Sequence, residues 1–319
     1  MARVDAGRLL AELNEGWRAM GNDHTGAHAN DSTGVLRACS MTLIAVASAA
    51  DDPEDLSRTL ASIMHDHPNR SIVLRVGVGE HVEASTAIQC WLPFGRQKQV
   101  CCEEIRVSAP RGQLDEVPPI LRGLCVADLP VVVWCRDAAL AASADLAPVL
   151  QLAGKVVVET SSAPASAACH SLSALRPGHP RIADLAWTRI TRWREFIARE
   201  ASGLCATAPG EVTYSGQGEP MAALYLAAWL RAVMNVPISL RCEDPQPPQP
   251  GMGRIRAVRL AGLEMRRTAP AVVEASCGLS RSSSVFPLLD NAALLRDELA
   301  IWGADPYYDA ALGHLLERR

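Results

Sequence analysis

Apolar residues fall in short, regularly spaced blocks. Residues 35–47, VLRACSMTLIAVA, form a run that fits a fully buried strand. The next segment, DDPEDLSRTLASIMHDHP, changes period. Pro53 sits early, acidic residues fill the first turn, and Leu56, Leu60, Ile63 and Met64 recur at helical spacing. SIVLRVGV at 71–78 predicts the next strand. Strands over 82–92 and 99–107 are joined by the turn PFGRQK, too short for a crossover, so this pair is expected to be antiparallel. A helix over 114–126, a strand over 128–135, an Ala-rich helix over 138–152 and a strand over 155–161 complete the alternation. The expected fold class is α/β, with an N-terminal Rossmann-like, mostly parallel sheet carrying an inserted hairpin.

From residue 166 the pattern changes. Residues 181–202 read as one long helix, and 211–216 as a short strand. An apolar helix follows over 219–234, with Pro220 in its first turn. Strands are predicted over 237–242, 254–262, 264–269 and 271–277, then charged helices over 288–302 and 306–318. This makes a smaller C-terminal α/β lobe. The expected organisation is an N-terminal helix and linker over 1–34, an α/β lobe over 35–165, and a C-terminal α+β lobe over 166–319.

Composition adds limits. The 319 residues are 49% hydrophobic and 21% charged, with a net charge of −4. That is ordinary globular composition with nothing to draw the chain to nucleic acid or an acidic membrane. No apolar run approaches the roughly 20 residues of a membrane span. The first helix carries Asp5, Glu12 and Glu15, unlike a secretory signal. A cytoplasmic location is expected. The ten Cys contain no CxxC pair, and each is expected to be a packed free thiol.

Candidate chemistry is sparse. Gly77 and Gly79 follow a strand but lead into another strand, so they do not form a dinucleotide fingerprint. Gly154-Lys155 lacks a phosphate loop around it. The turn SGQGEP runs into a helix, so Ser215, Gly216 and Gly218 are a candidate anion-binding turn. His65 and His67 point to different sides of a helix, and strand alternation divides Cys101 and Glu103 from Cys102 and Glu104. Neither set is assigned a metal, and no catalytic residue is assigned. On the 181–202 helix, Trp187 falls off the apolar face near Arg189, Arg192 and Arg194. This is the residue mixture enriched at protein contacts, although packing of Trp187 inside the molecule fits the same pattern.

Five segments occur together in order: HPNRSIVL at 67–74, CWLPFGRQKQVCCEEIRV at 90–107, DLPVVVWC at 128–135, DLAWTRITRWR at 184–194 and LYLAAWL at 224–230. Together they resemble the OpcA family, the glucose-6-phosphate dehydrogenase assembly proteins of bacteria, over about residues 35–277. The resemblance implies a non-catalytic subunit without a cofactor. It would bind glucose-6-phosphate dehydrogenase at the entry to the oxidative pentose phosphate pathway and act as an assembly factor or allosteric activator, promoting the active oligomer or conformation. Arg96 and Gln97 in the hairpin join Trp187, Arg189, Arg192 and Arg194 as partner-binding candidates. The alternative is a sugar-phosphate- or nucleotide-binding enzyme or sensor using the 215–220 turn.

Overall fold

The computed structural model describes residues 4–22, 35–91, 99–179, 181–202, 208–248 and 252–317. The chain divides into two compact units: residues 1–158 with 174–183, and residues 159–173 with 184–319. The division at 158 falls ahead of the expected boundary at 165, and a short segment returns to the first unit.

In the first unit, α1 (Ala6–Asn22) precedes β1 (Val35–Arg37), β2 (Met41–Ser48), α2 (Pro53–Met64) and β3 (Asn69–Val76). The hairpin strands are β4 (Glu83–Trp91) and β5 (Gln99–Ala109). A 3₁₀ turn leads to α3 (Val117–Leu124), β6 (Val131–Cys135), α4 (Ala138–Ala141), α5 (Ala147–Leu150) and β7 (Lys155–Val158). After α6 (Ala165–Leu175), β8 (Ile182–Asp184) completes an eight-stranded sheet of order β1-β5-β3-β2-β6-β7-β8, with β4 on the free edge of β5. The pairs of β2 with β3 and β6, β3 with β5, and β6 with β7 are parallel; β4 with β5 is antiparallel. The central position of β2 explains its continuous apolar run, because both faces are covered.

Helix α2 follows its sequence signals closely. The Asp52 side chain accepts from the Glu54 amide, Pro53 occupies the first turn, and Leu56, Leu60, Ile63 and Met64 are buried. Three expected elements are divided. The 35–47 run is two strands, because β1 pairs with β5 while β2 lies on the far side of β3. The 138–152 helix is two short helices. Pro148 is tolerated in the first turn of α5 but would break a continuous helix. The 181–202 helix becomes β8, α7 (Leu185–Thr188) and α8 (Thr191–Glu200), with Asp184 ending the strand and capping α7 through the Ala186 amide.

The second unit continues with β9 (Gly210–Ser215), α9 (Met221–Met234), β10 (Ile238–Asp244), β11 (Ile255–Leu260), β12 (Leu263–Ala269), β13 (Val272–Cys277) and β14 (Ser280–Val285). Helices α10 (Asn291–Leu299) and α11 (Pro306–Leu316) end the described chain. The sheet runs β10-β9-β11-β12-β13-β14. Strands β9 and β10 are parallel and are connected through α9, while the other pairs are antiparallel. Helix α9 is buried continuously from Ala223 to Leu230, and Asn235 closes it in the left-handed conformation. The opposite sheet face carries exposed ion pairs, including Arg241–Glu211 at 3.0 Å, Arg259–Glu211 at 3.1 Å and Arg266–Glu243 at 2.8 Å.

Candidate functional site

The sequence candidates on α7 and α8 separate once the helix is broken. Trp187 is only 3% exposed. Its indole Nε1 donates to Asp305 Oδ2 at 2.8 Å, and its ring packs against Tyr225 and Tyr308. The Arg194 guanidinium lies 3.9 Å from the Trp187 ring centroid, and its Nη2 donates to Thr191 Oγ1 at 3.1 Å. These two residues stack on each other, and Trp187 is not an accessible contact. The off-face position of Trp187 reflects the turn at Ile190, which changes helix direction between α7 and α8.

Behind Trp187 is a buried polar centre. Asp184 accepts from Thr160 Oγ1 at 2.6 Å, the Ala186 amide at 2.9 Å and the Tyr225 hydroxyl at 2.9 Å. Burial, reinforced by the charge of Glu159, pushes the Asp184 carboxyl up to about 7.

Arg189 and Arg192 take a different course. They line a cavity of about 460 Å³ in the second unit, formed by α8, the start of α9, the approach to β11, Arg267 of β12 and the segment after β14. Arg189 donates to the Leu289 carbonyl at 2.9 Å and Asn291 Oδ1 at 3.2 Å, with Glu159 at 3.6 Å. Arg192 is the open member: its side chain is 63% exposed and reaches Glu195 at 3.4 Å.

The 215–218 turn meets this cavity through Arg254. That guanidinium donates to the carbonyls of Ser215 at 3.0 Å, Gln217 at 2.8 Å and Gly218 at 2.6 Å. The Ser215 and Gly216 amides are taken by the carbonyls of Arg254 and Asp244. The turn is therefore organised around the Arg254 guanidinium, and two of its amides are already paired. Gly216 has φ +88°, and a Cβ there would lie 3.2 Å from Arg254 Nε, so both backbone and space require glycine.

Arg254 and Arg267 were not singled out from the sequence. A signal was present: in the strand LEMRRTA, alternation puts Arg267 on the same face as Leu263 and Met265. Arg267 is 5% exposed and donates to the carbonyls of Pro270 at 2.6 Å and Phe286 at 3.3 Å. Burial, followed by the nearby Arg256 charge, moves its pKa down. Guanidiniums do not exchange protons readily, so this arrangement is suited to holding an anion rather than moving a proton.

The hairpin candidates Arg96 and Gln97 lie outside the described residues. On β5, Glu103 accepts from Trp17 Nε1 at 2.7 Å and from Arg70 Nε at 2.6 Å, and Arg37 lies 2.5 Å away. Its neighbour Glu104 accepts from Arg106 at 2.6 Å. Cys101 is bonded to Cys90 directly across the hairpin, so these two are not the free thiols expected. Cys102 is free and buried, and burial pushes its thiol up to about 11. His65 ends α2 with its ring 4.9 Å from that of Trp91. Among the described residues no group of three or more His, Cys, Asp or Glu is arranged to hold a metal. No helix among them is long and apolar enough to cross a membrane.

Residues 60–176 match the family model described as the glucose-6-phosphate dehydrogenase subunit N-terminal domain, and residues 180–312 match that of the C-terminal domain. No curated protein sequence matches significantly. Similar solved structures include a biliverdin reductase from Synechocystis with biliverdin and NADP+, at 10% identity and TM-score 0.48, covering 87% of this chain and 96% of that one. The 3-ketoreductase KijD10 from Actinomadura kijaniata, with NADP and TDP-benzene, is 11% identical at TM-score 0.46, covering 86% and 94%. A Gfo/Idh/MocA family oxidoreductase from Vibrio cholerae is 7% identical at TM-score 0.43, covering 87% and 95%. At these TM-scores the likenesses have no bearing on function.

Proposed function

We propose, since the chain belongs to the OpcA family of glucose-6-phosphate dehydrogenase subunits, that it is a non-catalytic subunit that binds the dehydrogenase and favours its active oligomer or conformation. The observation that carries this reading is the succession of both subunit domains along residues 60–312. On this reading the chain works in the cytoplasm, at the entry to the oxidative pentose phosphate pathway. Activation requires tighter binding to the active state than to the inactive one. A coupling of about 1–3 kcal/mol is typical, and corresponds to about a 5–150-fold change in apparent affinity.

Arg192 is the contact candidate favoured by accessibility, with Arg189 beside it at the cavity. The exposed guanidinium suits a carboxylate on the partner. Trp187 and Arg194 support this surface from behind. The alternative sensor reading has less support, because Arg254 fills the turn it relied on.

The test is to mix the purified chain with the dehydrogenase of the same organism. Co-elution in size-exclusion chromatography is expected, with a rise in kcat/KM or a shift toward the active oligomer. Two proteins that elute separately, with unchanged dehydrogenase kinetics across a concentration series, would overturn the proposal.

A further inference from the structure

We propose that the cavity lined by α8, the α9 N-terminus and Arg267 binds a small amphipathic organic anion. Its acidic head would lie on Arg267 and the α9 N-terminus, and its apolar body against Met221, Met252 and Leu288.

The cavity carries unbalanced positive charge. Arg267 is 5% exposed, yet among the described residues its guanidinium hydrogen-bonds only to carbonyl oxygens, pairs with no carboxylate, and leaves its Nε buried without a hydrogen-bond partner. A buried charge is ordinarily neutralised by a counter-ion. The Nε of Arg189, at the same cavity, is also buried without a hydrogen-bond partner among the described residues, although the same guanidinium lies 3.6 Å from Glu159. The lining as a whole sets four guanidiniums, Arg189, Arg192, Arg254 and Arg267, against the carboxylates of Glu195 and Asp297.

Its shape leaves room for an occupant. Arg267 is flanked by the rings of Trp193 at 5.9 Å and Phe286 at 5.8 Å, which hold the guanidinium in place. Gly253 leaves one approach open. A Cβ there would meet Leu288 Cδ2 at 3.2 Å and Arg267 Nη2 at 3.5 Å, so any side chain would enter this space. Helix α9 contributes Met221 and Ala222 to the lining, and its N-cap, Pro220, offers no side-chain acceptor to the first amides. Those amides and the helix dipole favour a negative group.

A volume of about 460 Å³ falls within the range of small-molecule sites. Trp193, Met221, Met252, Phe286 and Leu288 make much of the wall apolar, which favours an organic body over a bare inorganic ion. A phosphate ester or carboxylate attached to a ring meets both demands. This site does not rest on the dehydrogenase reading and is tested on the full chain alone.

The probe is 8-anilinonaphthalene-1-sulfonate, titrated by fluorescence and then displaced by phenyl phosphate, phenol or inorganic phosphate. Phenyl phosphate is expected to displace the dye at concentrations at least about tenfold below either of the others. Arg267→Met and Gly253→Leu are each expected to weaken dye binding at least about tenfold, whereas Arg241→Ser on the exposed sheet face leaves it unchanged. Circular dichroism and thermal melts report folding; if Arg267→Met unfolds the chain, Gly253→Leu decides. No dye binding by the folded wild-type chain overturns the proposal. So does displacement by phenol or inorganic phosphate as readily as by phenyl phosphate, or unchanged affinity in folded Gly253→Leu.

Discussion

Trp187 and Arg192 are five residues apart but occupy different environments. Trp187 fills the space beside Tyr225 and Tyr308 and satisfies Asp305, so Trp187→Ala leaves both a cavity and an unpaired carboxylate oxygen. A loss of about 3–5 kcal/mol is expected, read from the midpoint of urea unfolding. Arg192→Glu is expected to change stability by no more than about 0.5 kcal/mol, because its ion pair with Glu195 is exposed. The same change should weaken dehydrogenase binding about tenfold, or about 1.4 kcal/mol, in a titration at low salt. Asp184 gives a pH signature. Its folded pKa near 7 lies above the ordinary value of 3.8, so the native state holds the proton more tightly than the unfolded chain. Its contribution is fully present below about pH 4 and is lost as pH rises through 7. Unfolding free energy measured from pH 4 to 8 should fall with pH in the wild type, and less steeply in Asp184→Asn.

The β4–β5 hairpin is more than a pair of edge strands. Its Cys90–Cys101 bond closes a separation of 11 residues, and β5 also pairs with β1 and β3 along its other edge. Reduction should destabilise the first unit by about 2–3 kcal/mol while leaving it folded, since the strand ladder remains. Urea midpoints with and without reductant check this, and Cys90→Ser with Cys101→Ser should abolish the difference. The bond also qualifies the expectation of free thiols drawn from a cytoplasmic setting, where disulfides are uncommon. At this scale, legibility followed local signals. Helix α2 was readable because its cap, proline and apolar spacing agree. Strand β14, SRSSSV, was not assigned, because an edge strand held on one side needs little apolar content. The divisions at Pro148 and Ile190 show the converse, where helical periodicity continues through a break in the backbone.

For the whole molecule, the two matched domains place the chain in a family of dehydrogenase subunits, and the proposed anion site lies in the second unit. An occupant of the cavity alters partner affinity only by preferring the bound form. Phenyl phosphate at saturating concentration should then shift the dissociation constant for the dehydrogenase in the wild type and leave it unchanged in Gly253→Leu. Equal affinities with and without the anion would separate the two sites functionally while leaving each one standing.

The sequence alone determined the α/β class, the antiparallel hairpin, the apolar α9 helix and the family resemblance. Those depend on residue period and on continuous motifs, which need no distant partner. Tertiary structure decided which candidates are accessible. It buried Trp187 against residues more than a hundred positions away, and it turned the 215–218 turn toward Arg254. It also gathered Arg189, Arg254 and Arg267 around one cavity. Burial and charge balance arise from side chains brought together by different elements, so spacing along a single segment does not encode them.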